Sequence, residues 1–166
     1  MQFKNKNLLL NPSLISLILA IFALLFALYL QYFQSYLPCH LCILQRYGYL
    51  GTILISLIGL FIYSHKIIPV LLCLSFILIS SISFWHMGVE LQWWAASLEC
   101  SGMTEDIGGL KEELENINKY TPTAACDQKS PIILGISLVQ WSFVYGLVSV
   151  IILSILIINH SIKRDN

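Results

Sequence analysis

Cys39 and Cys42 lie three positions apart in the stretch Leu37-Pro38-Cys39-His40-Leu41-Cys42-Ile43-Leu44-Gln45-Arg46-Tyr47-Gly48-Tyr49, where a polar turn gives way to a long apolar run. Cysteines so spaced support three kinds of chemistry: half of a zinc site completed by Cys100 and Cys126, a structural disulfide, or a redox couple that opens and closes. Zinc suits them poorly, because structural zinc sites usually combine two tight pairs and Cys100 and Cys126 are far apart in sequence. A purely structural staple needs no cation beside it. The redox reading uses more of the residues present. A thiolate at a helix N-terminus is favoured by free N–H groups and the macrodipole, and Arg46 adds a positive charge one turn further in, so the cysteine pKa falls and its reactivity rises.

Arg46 extends the argument to the acceptor. A cation inside an apolar span is costly and reads as functional, although near the interface it can also snorkel to headgroups. At i+4 from Cys42 it shares a helix face with that thiol, roughly 6 Å away. A lipid-soluble acceptor whose carbonyl oxygens gain negative charge on reduction would be polarised by such a donor, and a quinone fits that description. The segment Trp85-His86-Met87-Gly88-Val89-Glu90-Leu91-Gln92-Trp93-Trp94 is placed at the same interface. Oxidising a dithiol releases two protons and reducing a quinone consumes two, so His86 and Glu90 are candidate relays or ring contacts. The plainer readings are an aromatic belt for Trp93 and Trp94 and a hydrogen bond within the bundle for His86.

These residues need a membrane scaffold. The chain has 166 residues, is 57% hydrophobic and 11% charged, and is too apolar for a soluble domain of that length. Nine basic and nine acidic residues cancel, and without a polybasic run nucleic-acid binding has no support. Four apolar runs, at about residues 14–32, 43–63, 67–89 and 132–158, approach the length a helix needs to cross the hydrocarbon core. Their Leu/Ile-rich character does not alternate as barrel strands do. The first run follows Lys4 and Lys6 like a signal peptide, but it is too long and lacks a small-residue cleavage site, so it is expected to be a retained helix. The expected fold is therefore an all-α, integral membrane four-helix bundle forming a single domain over residues 1–166.

Lys4, Lys6, Lys66, Lys163 and Arg164 collect on one side, which by the positive-inside rule is cytoplasmic and holds both termini. The connections at about 33–42 and 90–131 face outward, and the longer one is acidic. Cys39, Cys42, Cys100 and Cys126 then share the oxidising side, while Cys73 falls within the third span as a small hydrophobe. Within the long loop, Ile107, Leu110, Leu114 and Ile117 recur at helical spacing and predict a short amphipathic helix on the membrane surface. Gly108-Gly109 and Thr121-Pro122-Thr123 bracket it as joints, which would let the loop carry Cys100 toward a soluble partner and back to Cys39.

The Pro-Cys-x-Leu-Cys-x-x-Gln-Arg-Tyr pattern at Pro38 to Tyr47 resembles the bacterial disulfide bond formation protein B (DsbB) family. So do His-x-Gly-Val-Glu and Trp-Trp at His86 to Trp94, the later loop cysteines, and the Ile136-Ser137-Leu138 and Trp141 run opening the last span. The resemblance covers nearly the whole chain. It implies a thiol:quinone oxidoreductase that reoxidises a periplasmic thioredoxin-fold dithiol oxidase, DsbA-like, and passes two electrons to ubiquinone or menaquinone from the bacterial inner membrane. It further implies that Cys100 forms the mixed disulfide with that partner, that Cys126 is its mate, and that Cys39 and Cys42 are the membrane-proximal pair. Cys42 would meet the quinone, Arg46 would bind it, and His86 would lie near its pocket.

The chain departs from the family pattern in three places. Gly48 stands where a proline is frequent, which would loosen the start of the second helix; Cys73 is an additional thiol; and a Gly-Pro before Cys100 is absent. A vitamin K epoxide reductase-like protein shares the chemistry, but there the Cys-x-x-Cys follows the loop pair, the reverse of the order here. The alternative from another class is a non-catalytic four-helix membrane protein with structural disulfides or a metal site.

Overall fold

A computed structural model describes residues 11–61, 67–95, 100, 124–127 and 129–165, with side chains in the last helix described to residue 159. Four helices dominate it: α1 (Pro12–Tyr32), α2 (His40–Phe61), α3 (Ile67–Glu90) and α4 (Leu138–Asp165). All four are long and apolar enough to cross a membrane, which bears out the all-α, four-span expectation and makes this a multi-pass membrane protein. Large apolar side chains such as Phe22, Leu54, Leu78 and Ile151 point outward, as they do where the surrounding solvent is lipid.

Each helix begins where local chemistry allows. Asn11 caps α1 by accepting the Ser13 N–H at 3.0 Å, and Pro12 occupies the first turn, where its missing N–H costs nothing. Cys39 precedes α2 and its sulfur accepts the Cys42 N–H at 3.2 Å, so a thiol serves as the cap. The interior is built largely from small and hydroxylated residues. Thr52 bonds Gly48 and Ser75, and Ser83 bonds Ser142 across α3 and α4. Phe76, Leu72, Ile79 and Leu153 fill the centre.

Gly48 does not loosen α2, which runs unbroken from His40 to Phe61. A Cβ at this position would come within 2.8 Å of Ile79 Cγ1, so the missing side chain is what lets α2 and α3 approach. The fourth span also begins later than expected. Ile132–Ile133 and Ile136–Ser137 pair as an antiparallel two-stranded hairpin, β1 and β2, before α4 starts at Leu138. Leu134 (φ 54°) and Gly135 (φ 83°) both take left-handed conformations, which is the turn a two-residue hairpin loop favours and a helix excludes. The amphipathic helix at 107–117, Lys4, Lys6 and Lys66, and the side chains of Lys163 and Arg164, lie outside the described residues.

Candidate functional site

The thiols meet where α2 begins. A parallel bridge joins Cys39 to Ala124, the Ala124 N–H donates to the Pro38 carbonyl at 3.3 Å, and the Cys126 N–H donates to the Cys100 carbonyl at 2.7 Å. The returning loop is thereby stitched to the start of α2. Cys39, Cys100 and Cys126 pack with Leu41 and Val89 into one buried cluster, against which Cys42 lies. Cys39 and Cys42 have their sulfurs 2.7 Å apart, and His86 Nε2 stands 3.5 Å from Cys39. Cys126 is within hydrogen-bonding reach of both Cys39 and Cys100.

The returning loop brings a further cysteine, Cys126, to the start of α2. Cys126 is lowered to about 6, first by the hydrogen bond with Cys39, then by Cys100 and by the backbone N–H groups of Leu41 and His40 at the start of α2; burial opposes this. Cys39, the residue that precedes the helix, is pushed far above the usual thiol range, because its proton is shared with Cys126 and Cys42 and it is buried. Of this pair, Cys126 is the more acidic and Cys39 holds its proton.

Beside the thiols lies a half-open cavity of about 480 Å³ in the seam between α1 and α4, with α2 along one wall. Cys39, Cys42, Arg46 and His86 line it, together with Phe26 of α1 and Trp141 of α4. Most of the wall is apolar. Behind its wall, Gln45 Nε2 and Arg46 Nε are buried without a hydrogen-bond partner among the described residues. The rest of the guanidinium is tied to α1, through Gln31 Oε1 and the Ala27 carbonyl, the latter at 3.2 Å. An apolar slot whose wall carries a thiol, an arginine and a histidine fits a lipid-soluble molecule carrying acceptor oxygens, as a quinone does.

Glu90 does not line this cavity. Its carboxylate accepts the Ser130 N–H and the Ser137 Oγ–H, each at 2.8 Å, so it ties the end of α3 to the segment entering α4. Trp94 stacks on Trp85 at 5.0 Å and donates to the Trp85 carbonyl at 3.1 Å, and neither it nor Trp93 reaches the cavity. Cys73 sits deep in α3 with Sγ 3.8 Å from Ser154 Oγ, thirteen helical residues and therefore about 20 Å along the axis from His86. Cys39, Cys42 and His86 offer ligand atoms within 4.8 Å of one another, a set that a soft metal ion could also use.

Residues 11–156 match the family model described as Disulfide bond formation protein DsbB. The chain belongs to the DsbB family. Its relatives include an uncharacterized protein of Rickettsia prowazekii (strain Madrid E), 31% identical over 87% of this chain and 86% of that one. They also include the Disulfide bond formation protein B of Herminiimonas arsenicoxydans, 29% identical over 83% and 89%, and that of Haemophilus influenzae (strain 86-028NP), 30% identical over 82% and 79%. No solved structure matches the chain. As a DsbB-family protein it is a membrane oxidoreductase of disulfide bond formation.

Four cysteines, His86 and Arg46, expected at the DsbB-family site, do converge, and Glu90 stands behind them. Two further cavity-lining residues, Gln45 and Ser142, are not among those expected. The signal for Gln45 was its position, i+3 from Cys42 and beside Arg46. Ser142 had none, because its meeting with Gln45, at 3.2 Å, joins α4 to α2 across 97 positions.

Proposed function

We infer that this DsbB-family protein oxidises the dithiol of a soluble thioredoxin-fold oxidase, DsbA-like, on the periplasmic face of the bacterial inner membrane, and that the two electrons go to ubiquinone or menaquinone. The observation carrying this reading is that Cys126 reaches both Cys100 and Cys39, while Cys39 and Cys42 line an apolar cavity together with Arg46 and His86. The thiols thus form one continuous route from an aqueous loop to a lipid-side slot.

The steps balance as thiol-disulfide exchange. A partner thiolate attacks Cys100 of a Cys100–Cys126 disulfide and releases Cys126 as the thiolate that α2 N–H groups stabilise. Cys126 attacks Cys39 of a Cys39–Cys42 disulfide, forming the Cys39–Cys126 bond and releasing Cys42 beside the cavity. The partner's second thiolate closes its own disulfide and frees Cys100, which attacks Cys126, restores the loop pair and releases Cys39. The partner has lost two electrons and two protons, and the electrons now reside on Cys39 and Cys42. A bound quinone supplies the sink for both electrons and both protons. Arg46 and Cys42 would hold it against the α1 and α4 walls, and His86, 3.5 Å from Cys39, would take that thiol's proton. A strongly oxidising partner, near about −120 mV, requires such a sink.

The test is reconstitution of the purified protein with a reduced thioredoxin-fold dithiol and quinone. Quinone-dependent loss of the dithiol is expected, and oxidation independent of quinone would remove the reading. A metal centre is a second reading, favoured by the closeness of Cys39, Cys42 and His86. Stoichiometric zinc in protein purified without chelator, lost in Cys42→Ala, would establish it in place of the first.

A further inference from the structure

Cys39 and Cys42 at the start of α2 meet His86 near the end of α3, and the three ligand atoms lie within 4.8 Å of one another. The two sulfurs are 2.7 Å apart, and His86 Nε2 stands 3.5 Å from that of Cys39. All three residues line the half-open cavity, so an ion held among them would have its remaining side toward that space. Tetrahedral zinc, with Zn–S bonds of about 2.3 Å, holds two thiolates about 3.8 Å apart, so the sulfurs need separate by only about 1 Å. Two thiolates and a neutral imidazole also cancel the charge of a divalent ion, which suits a largely apolar surround. Two cysteines, one histidine and an open fourth position make a donor set that zinc takes up. A Cys39–Cys42 disulfide has no thiolate to offer, so the set exists only while the pair is reduced.

We propose that reduced Cys39 and Cys42, with His86, form a reversible inhibitory zinc site, open only between the arrival of electrons from the partner and their departure to quinone. The inference rests on the quinone reading above and adds a form of regulation to it. It differs from a resident metal centre in that the oxidised enzyme holds no ion. Zinc binding displaces the two thiol protons and moves no electron, giving two Zn–S bonds and one Zn–N bond in exchange for two S–H bonds. A dithiol held in this way keeps its electrons until the ion leaves. Zinc and quinone therefore compete for the same reduced pair, and scarcity of quinone is the condition under which zinc stops the enzyme.

The measurement uses full-length protein in detergent, stripped of quinone, one half reduced with a phosphine and the other fully oxidised. Each is incubated with zinc ion, desalted and assayed for metal. One zinc per reduced chain and essentially none per oxidised chain are expected. Cobalt(II) in place of zinc should give thiolate charge-transfer bands and the ligand-field bands of a tetrahedral ion. His86→Ala should shift the latter and weaken retention by more than about tenfold. Cys42→Ser should remove binding, whereas the double variant Cys100→Ser, Cys126→Ser should keep it. In turnover of the unaltered protein, inhibition by zinc should be reversed by a chelator and deepen as short-chain ubiquinone is lowered. Equal zinc on the two redox forms, retention in Cys42→Ser, loss in the loop double variant, or inhibition indifferent to quinone concentration would overturn the proposal. The comparison of redox forms needs no variant and decides the matter if a substituted chain does not fold. Zinc already present after purification without reduction would establish the resident centre in place of this site. Failure of the unaltered protein to couple dithiol loss to quinone would remove the quinone reading and with it the inhibitory role, while the binding results alone decide the site.

Discussion

Two neighbouring sulfurs differ widely in acidity. Cys126, at about 6, is largely ionised at neutral pH, while Cys39 keeps its proton. Alkylation of the reduced protein at Cys126 should titrate with a midpoint near 6, and a midpoint in the ordinary thiol range would contradict the geometry. The same asymmetry appears in stability. Between about 6 and the ordinary thiol value of 9.0, the unfolded chain holds a proton that folded Cys126 has released. Stability of the reduced protein should therefore rise with pH across that window and be lost as pH falls through about 6. Cys39 acts oppositely, but only above its ordinary value of 9.0. In turnover assays Cys42→Ala and Cys100→Ala should each abolish dithiol oxidation, whereas Cys73→Ala, bonded to Ser154 far from the cluster, should leave it unchanged. The cysteine spacing made the reactive residues legible beforehand. It could not show that Cys126 is acidified too, because that depends on the loop folding back onto the start of α2.

At the level of elements, Glu90 holds the end of α3 to the segment that precedes α4. Glu90→Ala should cost about 1.5–3 kcal/mol through the loss of hydrogen bonds to a charged acceptor, read as earlier thermal unfolding in detergent and faster proteolysis at the 132–137 hairpin. A Glu90→Ala protein with unchanged proteolysis there would rule out the tether. Gly135→Ala should cost about 1–2 kcal/mol, since φ of 83° penalises any side chain. Hydropathy located α1, α2 and α3 closely, because lipid-length apolar runs leave few alternatives. It misread 132–137 because Ile132, Ile133, Leu134 and Ile136 are as apolar as the helix that follows, and a short apolar run does not declare its period. Gly135 was the one local hint. Glu90, expected as a relay or ring contact beside His86, also binds Ser130 and Ser137, since on a helix one carboxylate can serve partners beyond its i+4 neighbour.

For the whole molecule, the sided arrangement is open to direct test. Leu134, 87% exposed at the hairpin tip, should react as Leu134→Cys with an impermeant maleimide from outside spheroplasts, while a cysteine at position 66 should react only after lysis. The opposite pattern would invert the proposed topology. The cavity wall made by α1 has a further consequence, since α1 packs chiefly on α2 and only lightly on α4. A slot along such a seam opens sideways to the bilayer, so on the proposed reading an oxidant with a long tail would not have to cross water to reach Cys42. The relevant concentration is then the number of oxidant molecules per lipid. Diluting proteoliposomes with buffer should leave the rate per enzyme untouched, whereas fusing them with quinone-free vesicles should slow it.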